Sequence, residues 1–305
     1  MTRKKSQRTM RIALLFTAAL LSSANTSAAN DAVAEHVIVI GVDGLAPFGI
    51  QQANTPTFKR LCDKGASTMH ARAVMPTSSS PNWASMIMGA GPEQHGVTSN
   101  DWERDKYDIS PVVRGPEGIF PTMFAALRQS QPRSVIGVFH DWEGFGRLVE
   151  KKSCDAVEHA DGPNDAIDRG IEFWRARQPT LLFIHLDHVD HAGHSAGWGS
   201  PAYLQAVEQA DHLIARVLSS IEESKSAADT VLIVTADHGG INQGHGGSTM
   251  AELEIPWIAC GAGIVEGVAL TTPVNTFDTA PTVLRILGVD APACWIGRPV
   301  AAAFK

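Results

Sequence analysis

Aspartates and histidines gather at three places in this 305-residue chain. The first is Asp43, in Gly41-Val42-Asp43-Gly44. The second runs from Asp187 to His194, where Asp187/His191 and Asp190/His194 both have Asp-x-x-x-His spacing. The third is Asp237-His238-Gly239-Gly240, with His245 close behind. Seven of the twelve histidines fall between His185 and His245, so the enrichment belongs to that stretch rather than to overall composition. Carboxylates and imidazoles brought together repel, or stay desolvated, unless a cation joins them. Two divalent metal ions would resolve both problems. Asp and His donors suit zinc, and a more oxygen-rich set suits manganese. Each residue alone reads as a turn former, a cap or a structural histidine. Their recurrence favours a metal site.

A fourth segment offers a nucleophile. Met75-Pro76-Thr77 leads into Ser78, Ser79 and Ser80, and Pro81 suits the first turn of a helix, with the serines just before it. A hydroxyl there faces free N–H groups and the positive end of the helix dipole, where a phosphoryl group is favoured. The plain alternative is a serine cap. Serine is a weak nucleophile until a base or metal lowers its pKa, and the acid–histidine clusters could do so.

These residues need a scaffold that brings distant segments together. Unbroken apolar runs of strand length occur at 37–42, 134–139, 180–186, 230–235 and 255–259, as expected of strands covered on both faces. Helical patterns lie between them. The clearest is Tyr203 to Glu223, with one apolar stripe from Leu204 to Ile221. Another runs from Ala280 to Leu287, after Asp278 and Thr279 as caps and before Gly288 as a stop. The alternation predicts an α/β fold with a mainly parallel central sheet and helices on both faces. Ligands in such folds bind beyond the carboxyl ends of the strands, where Asp43, Asp187 and Asp237 stand.

Composition narrows the class. With 44% hydrophobic and 19% charged residues, the chain is neither disordered nor a disulfide scaffold. Residues 1–29 carry five basic side chains and no acid, then the short apolar run Ile12–Leu21 and small residues at Thr26 to Ala29. This reads as a secretory signal peptide, and ten apolar residues fall short of the roughly 20 needed for a spanning helix. The expected product is exported, periplasmic or secreted, with one domain over 30–305 and no membrane span. Beyond the leader, acids outnumber bases by twelve, which argues against general nucleic-acid binding but not against a phosphate ester bound through metals. Cys62, Cys154, Cys260 and Cys294 contain no C-x-x-C pair, and their pairing is open.

Taken together the motifs resemble the alkaline phosphatase superfamily, particularly its type I phosphodiesterase/nucleotide pyrophosphatase branch. The likeness runs through Val39–Gly44, Pro76–Asn82, Gly91–Gly96, Asp190–His194, Thr235–Gly239 and Asp278–Leu284. It implies an alkaline-phosphatase-like core and a two-metal site, one ion held by Asp43, Asp237, His238 and the nucleophile, the other by Asp190, His194 and His245. Gly193 fits the family's Asp-x-x-Gly-His form and selects the Asp190/His194 frame. The resemblance puts Ser79 at the nucleophilic position, acting through a phosphoserine, and Asn100 where a non-bridging phosphate oxygen is supported. It differs from the branch in one respect: His245 follows His238 by only seven residues, where a long insertion is usual. Trp83 stands where sulfatases carry Arg, which argues against sulfatase chemistry. The expected substrate is a small phosphate ester. A diester is favoured because no cationic residue sits in a recognisable motif (Arg104 and Arg147 are the candidates) and because Trp83, Trp102 and Trp142 are at hand for an apolar or base-like group. Alternatives are a phosphomonoesterase, a phosphoethanolamine-type transferase, and a non-catalytic metal-binding protein on this scaffold.

Overall fold

The computed structural model describes residues 1–2 and 32–305. The leader predicted at 1–29 lies, after its first two residues, outside the described residues. Eight strands form one sheet: β1 (His36–Val42), β2 (Gly65–Arg72), β3 (Ile136–His140), β4 (Ala156–His159), β5 (Leu181–Leu186), β6 (Thr230–Thr235), β7 (Glu254–Gly261) and β8 (Val268–Ala269). Their order is β4-β3-β5-β1-β6-β7-β2-β8. β7 runs antiparallel to both β6 and β2, and the other pairings are parallel. The five apolar runs are the strands expected. β2, β4 and β8 were not legible in the apolar pattern.

β1 sits in the middle of the sheet because its side chains need cover on both faces. Val37, Ile38, Val39, Ile40 and Val42 are all fully buried, each worth about 1.5–3 kcal/mol relative to exposure. Its neighbours β5 and β6 pair with Val42 opposite Leu186 and Gly41 opposite Thr235. Continuing that register puts Asp187, Asp43 and Asp237 side by side just past three adjacent strand ends. Helices close the faces. Helix Pro201–Glu222 buries Tyr203, Val207, Ala210, Leu213, Ile214 and Val217. Within it, Asp211 is buried and accepts from Thr57 N (3.1 Å) and Phe58 N (2.8 Å), satisfying the first turn of helix Pro56–Lys64.

Two local expectations are revised, and the cysteine question left open is answered. The nucleophile helix spans Ser79–Met88, so Ser79 and Ser80 belong to its first turn instead of preceding it. Asp278 occupies the N-cap of helix Thr279–Ile286 without capping it. Its carboxylate accepts instead from Asn275 N and Arg298 N, tying in the C-terminal segment. All four cysteines are free and partly buried.

Candidate functional site

Asp43, Asp237 and His238 are each no more than 1% exposed and form one ligand group; Asp190, His194 and His245 form a second. Within each group one donor atom per residue lies within 4.8 Å of the others. The His238 and His245 rings stack at 3.8 Å, so the groups adjoin. Ser79 Oγ lies 3.2 Å from His238 Nε2, at the start of its helix. The structure therefore brings Asp43, Ser79, Asp190, His194, Asp237, His238 and His245 into one site. Of the two Asp-x-x-x-His frames, Asp190/His194 is the one gathered, on one turn of helix His188–Ala196, where both join His245 in a ligand group and His191 joins none.

The histidines are oriented alike. Each turns Nδ1 onto a backbone carbonyl: His238 to Gly239 (2.8 Å), His245 to Thr77 (2.7 Å) and His194 to Gln243 (3.0 Å). Those carbonyls can only accept, so each Nδ1 carries a proton; Nε2 of His238 and His245 then faces the site as an acceptor, while His194 Nε2 lies 3.3 Å from Asp190 Oδ2 and, without a cation, donates to it. Besides the Ser79 hydroxyl and His194, these nitrogens meet carboxylate oxygens. His238 Nε2 is 3.4 Å from Asp43 Oδ1 and 3.2 Å from Asp237 Oδ2. His245 Nε2 is 3.6 Å from Asp190 Oδ1 and 3.0 Å from His194 Nε2. Asp43 Oδ1, Asp190 Oδ1 and Asp237 Oδ2 are buried with no hydrogen-bond partner. Carboxylates and imidazoles converging in this way could hold divalent cations.

The electrostatics carry the same stress. Burial raises Asp237 well above the usual carboxylate range, and the charges of Asp43 and Asp190 add to it. Asp187 is pushed up to about 7, by burial and then by Asp43. Burial opposes ionisation of Asp43 too, yet His185, His238 and the Trp83 indole bring it down to about 2. His194 is raised to about 9, chiefly through its hydrogen bond to Asp190.

Several residues support the site through contacts that the sequence does not show. Trp83 Nε1 donates to Asp43 Oδ2 at 2.8 Å. Asn82 knits the nucleophile loop, accepting from Val74 N and donating to the Pro76 and Ser78 carbonyls. Thr77 joins that loop to the His245 loop, since its hydroxyl donates to Gly247 O and accepts from Gly246 N. Glu252 accepts from Gly247 N and Thr249 N and fixes the far end. Gly44 adopts φ +67°, and a Cβ there would meet Asp190 at 2.8 Å, so only glycine lets the two ligand segments approach.

His95, in Gly91–Gly96, anchors the nucleophile helix from behind. Its Nδ1 accepts from Val97 N, so Nε2–H donates to Ser85 Oγ (3.0 Å), which donates to Pro81 O. Burial lowers its pKa to about 3.

Asn100 Oδ1 accepts from Ser80 N at 2.8 Å, which leaves its amide N–H groups to donate elsewhere. Arg104 and Arg147 are committed to other partners. Arg104 donates to the carbonyls of Arg147 and Val149, and Arg147 binds Glu103 and the Asn100 carbonyl. Trp83 and Trp102 are core residues, at 0% and 5% exposure, so neither can stack on a ligand. The aromatic argument for a diester fails for these two.

A family model described as type I phosphodiesterase/nucleotide pyrophosphatase matches residues 37–245, which contain every residue of both ligand groups and Ser79. This chain belongs to that family. Within the curated relatives it is 28% identical over 292 residues to a GPI ethanolamine phosphate transferase 1 of Candida glabrata, covering 86% of this chain. The chain spans about a third (31%) of that relative's length. Among solved structures it is similar to murine ectonucleotide pyrophosphatase/phosphodiesterase 5, an inactive form in complex with AMP: TM-score 0.71, 16% identity, 85% of this chain and 96% of that one. It is also similar to a mutant of an alkaline phosphatase: TM-score 0.75, 12% identity, 89% of this chain and 99% of that one. These neighbours share the α/β fold of the superfamily.

Proposed function

We propose that this chain is an exported, metal-dependent hydrolase of small phosphate esters that prefers diesters and works through a phosphoserine on Ser79. The observation that carries it is the Ser79 hydroxyl, 3.2 Å from His238 Nε2, at a helix N-terminus beside two groups of converging carboxylates and imidazoles. Asp43, Asp237, His238 and the Ser79 oxygen would hold one ion, and Asp190, His194 and His245 the other. Zinc fits these donors best, with manganese as the alternative. Bound there, the ions supply the positive charge that activates the serine and stabilises attacking and departing oxygens.

The chain's own residues do the rest. Ser79 Oγ gives up its proton and forms a bond to phosphorus as the ester P–O bond breaks, and the departing oxygen takes up a proton and leaves as the alcohol. Water then attacks the phosphoserine, the Oγ–P bond breaks, one water proton restores the hydroxyl, and the phosphate monoester is released. The Asn100 amide donates to a non-bridging oxygen. Helix Ser79–Met88 directs its positive end at the same group. A diester, with one negative charge, needs no further cation, and the commitments of Arg104 and Arg147 support that preference.

The domain is taken as 30–305 behind a leader at 1–29. No helix among the described residues is long and apolar enough to cross a membrane. A second reading, a transferase that passes the phosphoryl group to an alcohol, is favoured by the 28% match to the GPI ethanolamine phosphate transferase.

The deciding assay compares bis(p-nitrophenyl) phosphate, p-nitrophenyl phosphate and an aryl sulfate on purified protein of known metal content. Diester turnover should dominate, disappear in chelator and return with zinc or manganese. Faster turnover of the monoester overturns the diester preference. A requirement for an added alcohol acceptor favours the transferase.

A further inference from the structure

One buried histidine beside the site has no place in either ligand group. His185, on β5, is fully buried and opposes Gly41 of β1. Its Nδ1 lies 3.3 Å from Asp141 Oδ1 and its Nε2 lies 3.4 Å from Asp43 Oδ2. Asp141 follows β3, the strand on the other side of β5, so the three side chains cross the sheet from β3 through β5 to β1. Asp141 is itself fixed, because its Oδ1 accepts from Asp187 N at 2.7 Å. The imidazole is wedged by rings, with Trp83 at 4.7 Å and Phe145 at 4.9 Å.

These contacts fall unevenly on the two oxygens of Asp43. Oδ2 faces both the Trp83 indole N–H and His185. Oδ1 has no hydrogen-bond partner and faces His238 Nε2. A free carboxylate rotates about its last torsion, exchanging the two oxygens. Here one is occupied from behind and the other is left for the site.

We infer that Asp141 and His185 are positioning residues that, with Trp83, hold Asp43 so that Oδ1 alone is offered to the metal beside Ser79. This rests on the reading of Asp43 as a metal ligand. Partners behind a ligand typically matter 10–100-fold in metal affinity. The effect should be confined to one group, because neither residue is in contact with His194 or His245 in any interaction described above.

The test is zinc titration of metal-free protein against a chromophoric chelator, resolving two sites, for the native protein, His185→Phe and Asp141→Asn. Phenylalanine keeps a ring among Trp83 and Phe145 while removing both nitrogens. Asparagine keeps the acceptor for Asp187 N and guards against a folding failure in the first variant. Thermal unfolding of each metal-free protein checks the fold. The expected result is a 10–100-fold loss at one site in His185→Phe, a smaller loss at the same site in Asp141→Asn, and an unchanged second site. Two native-like affinities in both variants would overturn the inference and leave the metal site standing. Equal losses at both sites would also overturn it, since that is general loosening. A native protein that binds no zinc removes the metal reading itself, and the inference with it.

Discussion

Replacing Asp237 by Asn should stabilise the protein in chelator and destabilise it, relative to native, in zinc. Asp237 is fully buried, and its Oδ1 accepts from Gly44 N at 3.1 Å, a bond the Asn carbonyl can keep. Its Oδ2 has no partner and faces the lone pair of His238 Nε2 at 3.2 Å. An amide N–H2 in that place turns an acceptor–acceptor contact into a hydrogen bond. The substitution also removes a charge whose oxygen lies within 4.8 Å of an Asp43 oxygen. At an effective dielectric of about 20 that repulsion is worth roughly 3 kcal/mol. Asp237 is already raised well above the carboxylate range, so part of the repulsion is relieved by protonation, and a gain of about 1–2 kcal/mol is expected. Zinc reverses the sign, since an ion at a hundred times its Kd adds about 2.7 kcal/mol to the native fold, and most of that is lost from a crippled site. Urea unfolding of both proteins, in chelator and in buffered zinc, reads all four stabilities. Should Asp237→Asn be the less stable protein in chelator, or gain as much from zinc as the native chain, the account of the site as crowded acids awaiting a cation is wrong.

Three further outcomes are expected. Ser79→Ala should lower diester turnover by orders of magnitude while metal content, measured by atomic emission, stays near native. Asp211→Ala strands the Thr57 and Phe58 N–H groups and should cost about 2–4 kcal/mol in urea unfolding, with activity per folded molecule unchanged. Stability should fall with acid through His95: the unfolded chain takes up its proton near pH 6.5 and the folded one only near 3. Its contribution is therefore complete above pH 6.5 and drains at about 1.4 kcal/mol per pH unit as pH drops towards 3. His140, held at about 4 by burial, adds a parallel loss. His95→Gln should flatten the profile between pH 6 and 4, and an unchanged slope refutes the assignment.

The central strands were legible because burial on both faces writes an unbroken apolar run, and the acids of the site follow the runs of β1 and β6 within two residues. β2 hides because Gly65–Arg72 is built of small and polar residues, paired against β7 at a sheet margin. β4 and β8 are short edge strands, β4 with its last two residues exposed and β8 with both. Spacing could not choose between Asp187/His191 and Asp190/His194, since both recur at four residues. The direction of the helix chooses, bringing His194 to His245 (3.0 Å) and leaving His191 outside both ligand groups. Asp141 and His185 are invisible without the neighbour relation of β3, β5 and β1. The second roles of Thr77, Asn82 and Glu252 depend on backbone groups that no side-chain pattern encodes. Trp83 shows the opposite lesson: it was noted for its ring, and its N–H is what reaches the site.

The turn between His238 and His245 limits how this scaffold can be altered. Ile241 and Gly244 exchange both backbone hydrogen bonds across it, with Asn242 at φ 54°. Its carbonyls are also spoken for, Asn242 O by Trp198 N and Gln243 O by His194 Nδ1. Splicing extra sequence here would release an imidazole from the far trio, although the cut is made in the connector of the near one. A grafted lid or specificity module is better rooted in the stretch carrying the exposed Ile109, Val112 and Val113, away in sequence from both ligand groups.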